Sequence, residues 1–232
     1  MSTSRPLPRA DADTPWGTYG LIAANVAMFA LELGSSTSLG HPGTDTMIAL
    51  GANFGPLTLN GEPWRLVSAM FLHFGVIHIG MNMVCLYQVR IVERMLGRAE
   101  FLALYFAAGL LGGLASTVTH AESVSAGASG AVFGMFGAFT AVMVVRRARL
   151  DPVAWKRTMQ SLGTFFAINL VFGLSQREID MSAHVAGLVA GFVGAFALEK
   201  TRRPAARPGL RALSVIVVGA ATAFGGLYAL PR

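Results

Sequence analysis

Ser182-Ala-His184-Val-Ala-Gly187-Leu-Val-Ala-Gly191-Phe-Val-Gly194-Ala-Phe-Ala-Leu198 decides how this chain is built. The run contains no Asp, Glu, Lys or Arg, and its length falls in the range of about 17–25 residues that lets a helix cross a bilayer. Gly187, Gly191 and Gly194 recur at helical spacing, and a face of small residues lets a second membrane helix approach closely. His184 precedes Gly187 by three residues and so shares that face. An ionisable side chain inside a span marks a functional site by default.

Working outward, six more apolar segments can be drawn, near 18–33, 76–93, 101–119, 129–145, 158–174 and 213–228. The composition agrees: of 232 residues, 53% are hydrophobic and 13% charged, roughly half the charge of an ordinary soluble domain. The mean hydropathy is +0.56. The class is a polytopic helical membrane protein, with no length left for a sizeable soluble domain. Cys85 is the single cysteine, so there is no internal disulfide and no reading of redox compartment. The first sixteen residues are polar and proline-bearing, which predicts a short cytoplasmic tail and not a removable signal peptide.

The basic residues set the orientation, because cytoplasmic loops of membrane proteins are enriched in Lys and Arg. With the N-terminus inside, fifteen of the eighteen Lys and Arg residues fall on the inner side, and Arg65, Arg177 and Arg232 remain outside. The net charge of +6 and the pI near 10.2 therefore reflect topology. The charge is spread over short loops and forms no stripe of the kind that binds nucleic acid. The first outside connection, 34–75, is the one long loop. Met47-Ile48-Ala49-Leu50 and Leu66-Val67 predict that it is ordered and lies at the membrane interface.

Two further fragments belong with His184. They are His78-Ile-Gly-Met-Asn82, in the second segment, and Gly127-Ala-Ser129-Gly130, at the start of the fourth. Segments two, four and six all run from outside to inside, so Ser129, His184, His78 and Asn82 fall at one depth in the outer half of the membrane. His78 and Asn82 share a helix face at i, i+4. A serine hydroxyl becomes a nucleophile when a base takes its proton, and histidine is the usual base. The developing oxyanion needs preorganised donors. The free N–H groups at the start of segment four, with His78 and Asn82, supply them. The implied reaction is acyl transfer to water, and no cofactor or metal is expected. Taken singly, each fragment has a plainer reading as helix packing or interhelical hydrogen bonding. Their coincidence at one depth favours chemistry.

The set resembles the rhomboid family of intramembrane serine proteases. The matching pieces are Trp64-Arg65, His73 followed by His78-x-x-x-Asn82, Glu93-Arg-x-Leu-Gly97, Gly127-x-Ser129-Gly130 and His184-x-x-Gly187-x-x-x-Gly191. The resemblance implies an all-α six-helix core with a seventh C-terminal helix, a 6+1 arrangement. It also implies a dyad of Ser129 as nucleophile and His184 as base. His78, Asn82 and the Ser129 backbone N–H would form the oxyanion hole, and Trp64-Arg65 would sit in a loop lying sideways in the outer leaflet. Many members carry a tyrosine four residues after the serine, stacked on the catalytic histidine. This chain has Phe133, whose ring face still serves for stacking. Asp180 reads as a helix N-cap or a solvated loop charge in preference to a third catalytic residue.

The expected division is a cytoplasmic tail over 1–17, the core over 18–199, a basic cytoplasmic linker over 200–212, and the seventh helix with a short outside tail over 213–232. His73, Asn82 and the outer ends of segments two and four are expected to line an opening to the outside. The expected partners are the lipid bilayer and single-span membrane proteins as substrates, and the expected location is a bacterial plasma membrane. The rival readings are a catalytically silent binder of membrane clients and a small transporter. The first predicts loss of the serine or histidine, and the second predicts ionisable residues near the midplane of segments three, five and seven. Neither feature is present.

Overall fold

The computed structural model describes residues 14–35, 42–175, 180–202 and 208–230. Most of the expected N-terminal tail, residues 203–207 of the linker and the last two residues lie outside the described residues. The chain is a helical bundle of the all-α class, with one two-residue strand pair in its loops. In order it runs α1 (Trp16–Ser35), α2 (Thr44–Leu50), β1 (Asn53–Phe54), α3 (Gly55–Thr58), α4 (Arg65–Ser68), α5 (Val76–Gln88), α6 (Arg90–Leu96), α7 (Arg98–Thr119), β2 (Val124–Ser125), α8 (Ser129–Val145), α9 (Pro152–Ser175), α10 (Met181–Lys200) and α11 (Pro208–Ala229).

Each of the seven apolar segments is helical. By length and apolarity, α1, α7, α10 and α11 each suffice to cross a bilayer. A fifth candidate is the pair Arg65–Phe71 and Val76–Leu96, bent by 93°. The remaining two helices differ. α8 is apolar but has only 17 residues, and α9 carries Lys156 and Arg157 in its first two turns. The helix ends depart from the apolar limits for local reasons. α9 begins at Pro152, because Asp151 accepts the Ala154 N–H at 2.7 Å and proline suits a first helical position. α11 likewise opens on Pro208, five residues before its apolar run.

The centre is α8 and α10 packed backbone to backbone, with α7 alongside. A Cβ placed on Gly187 would strike the Gly130 carbonyl oxygen, and one on Gly191 would strike that of Gly134. Contact advances four residues on both helices together, so the two run parallel, with the first turn of α8 beside the second turn of α10. Lipid offers no hydrophobic drive for helix association, so close van der Waals packing through small residues supplies it. α7 joins through Gly112, where a Cβ would lie 2.9 Å from the Ala183 carbonyl oxygen. α11 leans on α7, with Gly219 against Ala107 and Gly226 against Leu114. α9 contributes Phe165, stacked on Phe136 of α8 at 4.1 Å between ring centres.

Carboxylates fasten the end of the bundle opposite Ser129. Glu93 of α6 accepts the N–H groups of Gly17 and Thr18 and the Thr18 hydroxyl, each at 2.8 Å. It thereby caps α1, whose first N–H groups have no partner within the helix. Glu199 takes a two-pronged contact from Arg146, at 2.7 and 2.9 Å. Glu100 pairs with Arg211 of α11 at 3.0 Å. Buried carboxylates without such partners would cost several kcal/mol. The Arg146–Glu199 contact ties α8 to α10, and the Arg211–Glu100 pair ties α11 to α7.

The long loop after α1 is ordered over 42–75, as expected. Arg65 is its rivet. The guanidinium is buried and bonds Glu62 at 2.7 Å, the Ile48 carbonyl at 2.7 Å and the Ala52 carbonyl at 3.0 Å. Asn53 binds Thr58, Thr117 and the Gly113 carbonyl, anchoring the loop to α7. β1 pairs antiparallel with β2, Asn53 opposite Ser125. The first loop is thereby stitched to the segment that leads into Ser129.

Candidate active site

Ser129 opens α8, preceded by Gly127, which adopts φ +131°. Glycine is required there twice over. The backbone lies in a region that L side chains rarely adopt, and a Cβ would stand 2.9 Å from both Cε1 and Nε2 of His78. The same point lies 3.8 Å from Ser129 Oγ. His78 Nε2 and Ser129 Oγ therefore flank one small space over Gly127. The Gly127 N–H is tied to the Ala69 carbonyl at 2.8 Å, which fixes this approach. The first α8 N–H with a helical acceptor is that of Val132, bonded to Ala128 at 2.9 Å. The Ser129 N–H lies ahead of it, at the positive end of the helix.

His184 sits one turn into α10. Asp180 is the N-cap, accepting the Ala183 N–H at 3.1 Å, one of the two roles expected for it. Burial pushes the Asp180 carboxyl up, but the Ser116 and Ser182 hydroxyls, the Ala183 N–H and nearby His120 outweigh this and hold it below the usual carboxylate range. The cap stays ionised where the helix dipole favours negative charge. Phe133 stacks on His184 at 4.3 Å with 7° between ring planes. Phe133 is one turn after Ser129, so the stack holds the imidazole against the face of α8 that bears the serine. Ser129, His184 and His78 are all half-buried.

His78 is oriented from behind. The Phe74 N–H donates to its Nδ1 at 3.3 Å, and the Phe74 ring lies parallel to it at 6.3 Å. A neutral imidazole that accepts at Nδ1 carries its proton on Nε2. The nitrogen facing Ser129 is thus a donor. Asn82 is buried and spends one amide hydrogen on the His78 carbonyl at 3.0 Å, leaving its second.

His73 departs from expectation. It does not line an opening. Its side chain is fully buried, because the turn between the 3-10 segment Ala69–Phe71 and α5 folds inward and sets the ring edge-on to His78 at 5.2 Å. Asn82, at 5% exposure, is also closed off from solvent. One residue escaped the sequence reading altogether. Glu32, near the end of α1, is fully buried and accepts the His73 N–H with both carboxylate oxygens at 3.2 Å. The available signal was its being the one acidic residue inside the first apolar segment.

A polytopic helical membrane protein with a serine opening one helix close to a histidine of a second, and a histidine of a third stacked one turn further along, defines a narrow class. Comparison with known proteins places it further. A family model described as the rhomboid domain matches residues 60–201. Rhomboid protease GluP of Bacillus subtilis (strain 168) is 39% identical over 221 residues, which is 92% of this chain and 40% of GluP. Putative rhomboid protease YdcA of the same organism is 34% identical over 148 residues, covering 63% of this chain and 71% of YdcA. RHOMBOID-like protein 7 of Arabidopsis thaliana is 29% identical over 188 residues, covering 80% of this chain and 59% of that protein. The chain belongs to the rhomboid family. It spans less than half the length of GluP.

Proposed function

We propose that this protein is an intramembrane serine endopeptidase that cuts single-span membrane proteins within or beside their transmembrane segments. The observation that supports this most is the shared space over Gly127, with Ser129 Oγ on one side and His78 Nε2 on the other, and a His184 ring stacked on Phe133 one turn further along. In this reading Ser129 Oγ attacks the scissile carbonyl and His184 takes its proton. The oxyanion is received by His78 Nε2–H, the free Asn82 amide hydrogen and the Ser129 N–H. His184 then protonates the leaving amine, and a water, activated by the same histidine, frees the acyl group from Ser129. A peptide bond inside a helix is shielded by its own hydrogen bonds, so substrates must partly unwind to react. In purified protein a fluorophosphonate probe is expected to label Ser129, as located by peptide mass spectrometry. Absence of labelling in a protein that cleaves would assign the chemistry elsewhere.

Asn82→Ala is expected to lower turnover about 10- to 1000-fold, since one oxyanion donor is worth up to about 4 kcal/mol and two others remain. Turnover at saturating substrate is the measurement. An unchanged value would leave Asn82 as a purely structural tie to the His78 carbonyl.

The site is proposed to open away from the cytoplasm of a bacterial plasma membrane, with the 6+1 helices all crossing. The support is the distribution of basic residues. In a Cys85→Ala background, a cysteine at Ser123 is expected to react with a membrane-impermeant maleimide in intact cells. A cysteine at Ala154 is expected to react only after lysis. The reverse pattern would invert the topology.

A further inference from the structure

We propose that Glu32 is a positioning residue for the oxyanion site: it holds the 73–74 peptides so that His78 keeps its proton on Nε2, toward Ser129. This rests on the reading of His78 as an oxyanion donor.

The two peptide N–H groups are consecutive in sequence and divide their work. That of His73 is spent on Glu32, at 3.2 Å from each carboxylate oxygen. That of Phe74 is spent on His78 Nδ1, at 3.3 Å. The Phe74 bond selects the tautomer, because an N–H can only be accepted by an imidazole nitrogen that carries no proton. The Glu32 bond fixes where that N–H stands. Gly75 follows at once with φ 120°, a conformation that leaves the turn little stiffness of its own. An anchor outside the turn is therefore needed, and α1 provides it. α1 is itself clamped at its other end by Glu93, so the position of Glu32 is inherited from a fixed strut. Steric packing completes the cradle, with His73 edge-on and Phe74 face-on to the His78 ring. Packing alone holds the ring plane but does not choose between tautomers, and a His78 with its proton on Nδ1 would present a lone pair to the oxyanion.

The test uses the full chain in lipid nanodiscs with 15N-labelled histidine, His78 being assigned by loss of its signals in His78→Asn. In the unmodified protein near neutral pH, His78 is expected to show a protonated Nε2 and an unprotonated Nδ1. A proton on Nδ1 overturns the proposal, whatever any variant does. Glu32→Leu, which has no acceptor, is expected to give mixed tautomers and a kcat lower by about 30- to 100-fold with KM within about twofold, the scale of a misplaced catalytic group. Glu32→Gln keeps an acceptor and is expected to retain the Nε2–H tautomer and lose about 2- to 5-fold in kcat. Folded Glu32→Leu protein with the wild-type His78 spectrum overturns the proposal. So does a folded Glu32→Gln protein with mixed tautomers. If proteolysis is absent from wild type, the function proposed above fails, while the spectra still decide whether Glu32 sets the tautomer.

Discussion

Ser129→Ala is expected to leave no measurable proteolysis in a protein that inserts and folds normally. The hydroxyl is the proposed nucleophile. It sits at the first position of α8, where its side chain caps nothing within its own helix, so removing it costs little stability. In a soluble serine protease, loss of the serine or its histidine lowers kcat about a million-fold, and removing both is hardly worse. His184→Ala should therefore be as inactive as Ser129→Ala, and the double variant no worse than either. The three proteins would be compared in one purified cleavage assay against a transmembrane substrate. Cleavage by Ser129→Ala above a few per cent of wild type would overturn the assignment. A further additive loss in the double variant would place His184 outside the catalytic unit.

Gly191→Leu is expected to abolish activity for a different reason and to lower thermal stability as well. Even a Cβ at 191 collides with the backbone of Gly134, and a backbone cannot rotate away as a side chain can. Overpacking of a tight core costs about 1–3 kcal/mol and sometimes more. Relief would come by moving α10 off α8, which takes His184 with it. A displacement of about 1 Å can cost on the order of 100-fold in rate. Gly163→Leu, on α9 with open space around it, is the matched control and should be tolerated. Thermal melting followed by scattering, together with the cleavage assay, reads both effects. Full activity in Gly191→Leu would mean that the α8–α10 seam is not what holds His184.

The helices were legible because each carries a long apolar run, and the α10 side of the α8–α10 seam because its glycines recur at helical spacing. Orders of contact were legible too: Gly187 and Gly191 read as a packing face, and they meet Gly130 and Gly134. What escaped was set by partners distant in sequence. Glu93 reads locally as one more inner-end charge, yet it caps α1 from 75 residues away. His73 reads as polar and hence wet, yet the turn after Phe71 buries it against His78. The break at Val89 between α5 and α6 has no proline or glycine to announce it. Glu32 was missed because a carboxylate at the edge of an apolar run passes for the end of the span, and only the fold shows the peptide N–H it receives.

The brevity of α8 has a consequence for water. Its 17 residues at about 1.5 Å each give roughly 26 Å, against a hydrocarbon thickness of about 30 Å. α8 is locked in register with α10, so it cannot change its depth alone. It is also enclosed by its neighbours, Val144 being its one exposed residue, so the shortfall of a few ångströms falls inside the protein and not on the surrounding lipid. In the orientation proposed above, the first residue of α8 would lie a few ångströms below the membrane surface, and water would have to come down between the helices to reach Ser129. In the proposed function, a substrate segment would then have to leave the lipid and enter that space between the helices to meet the serine.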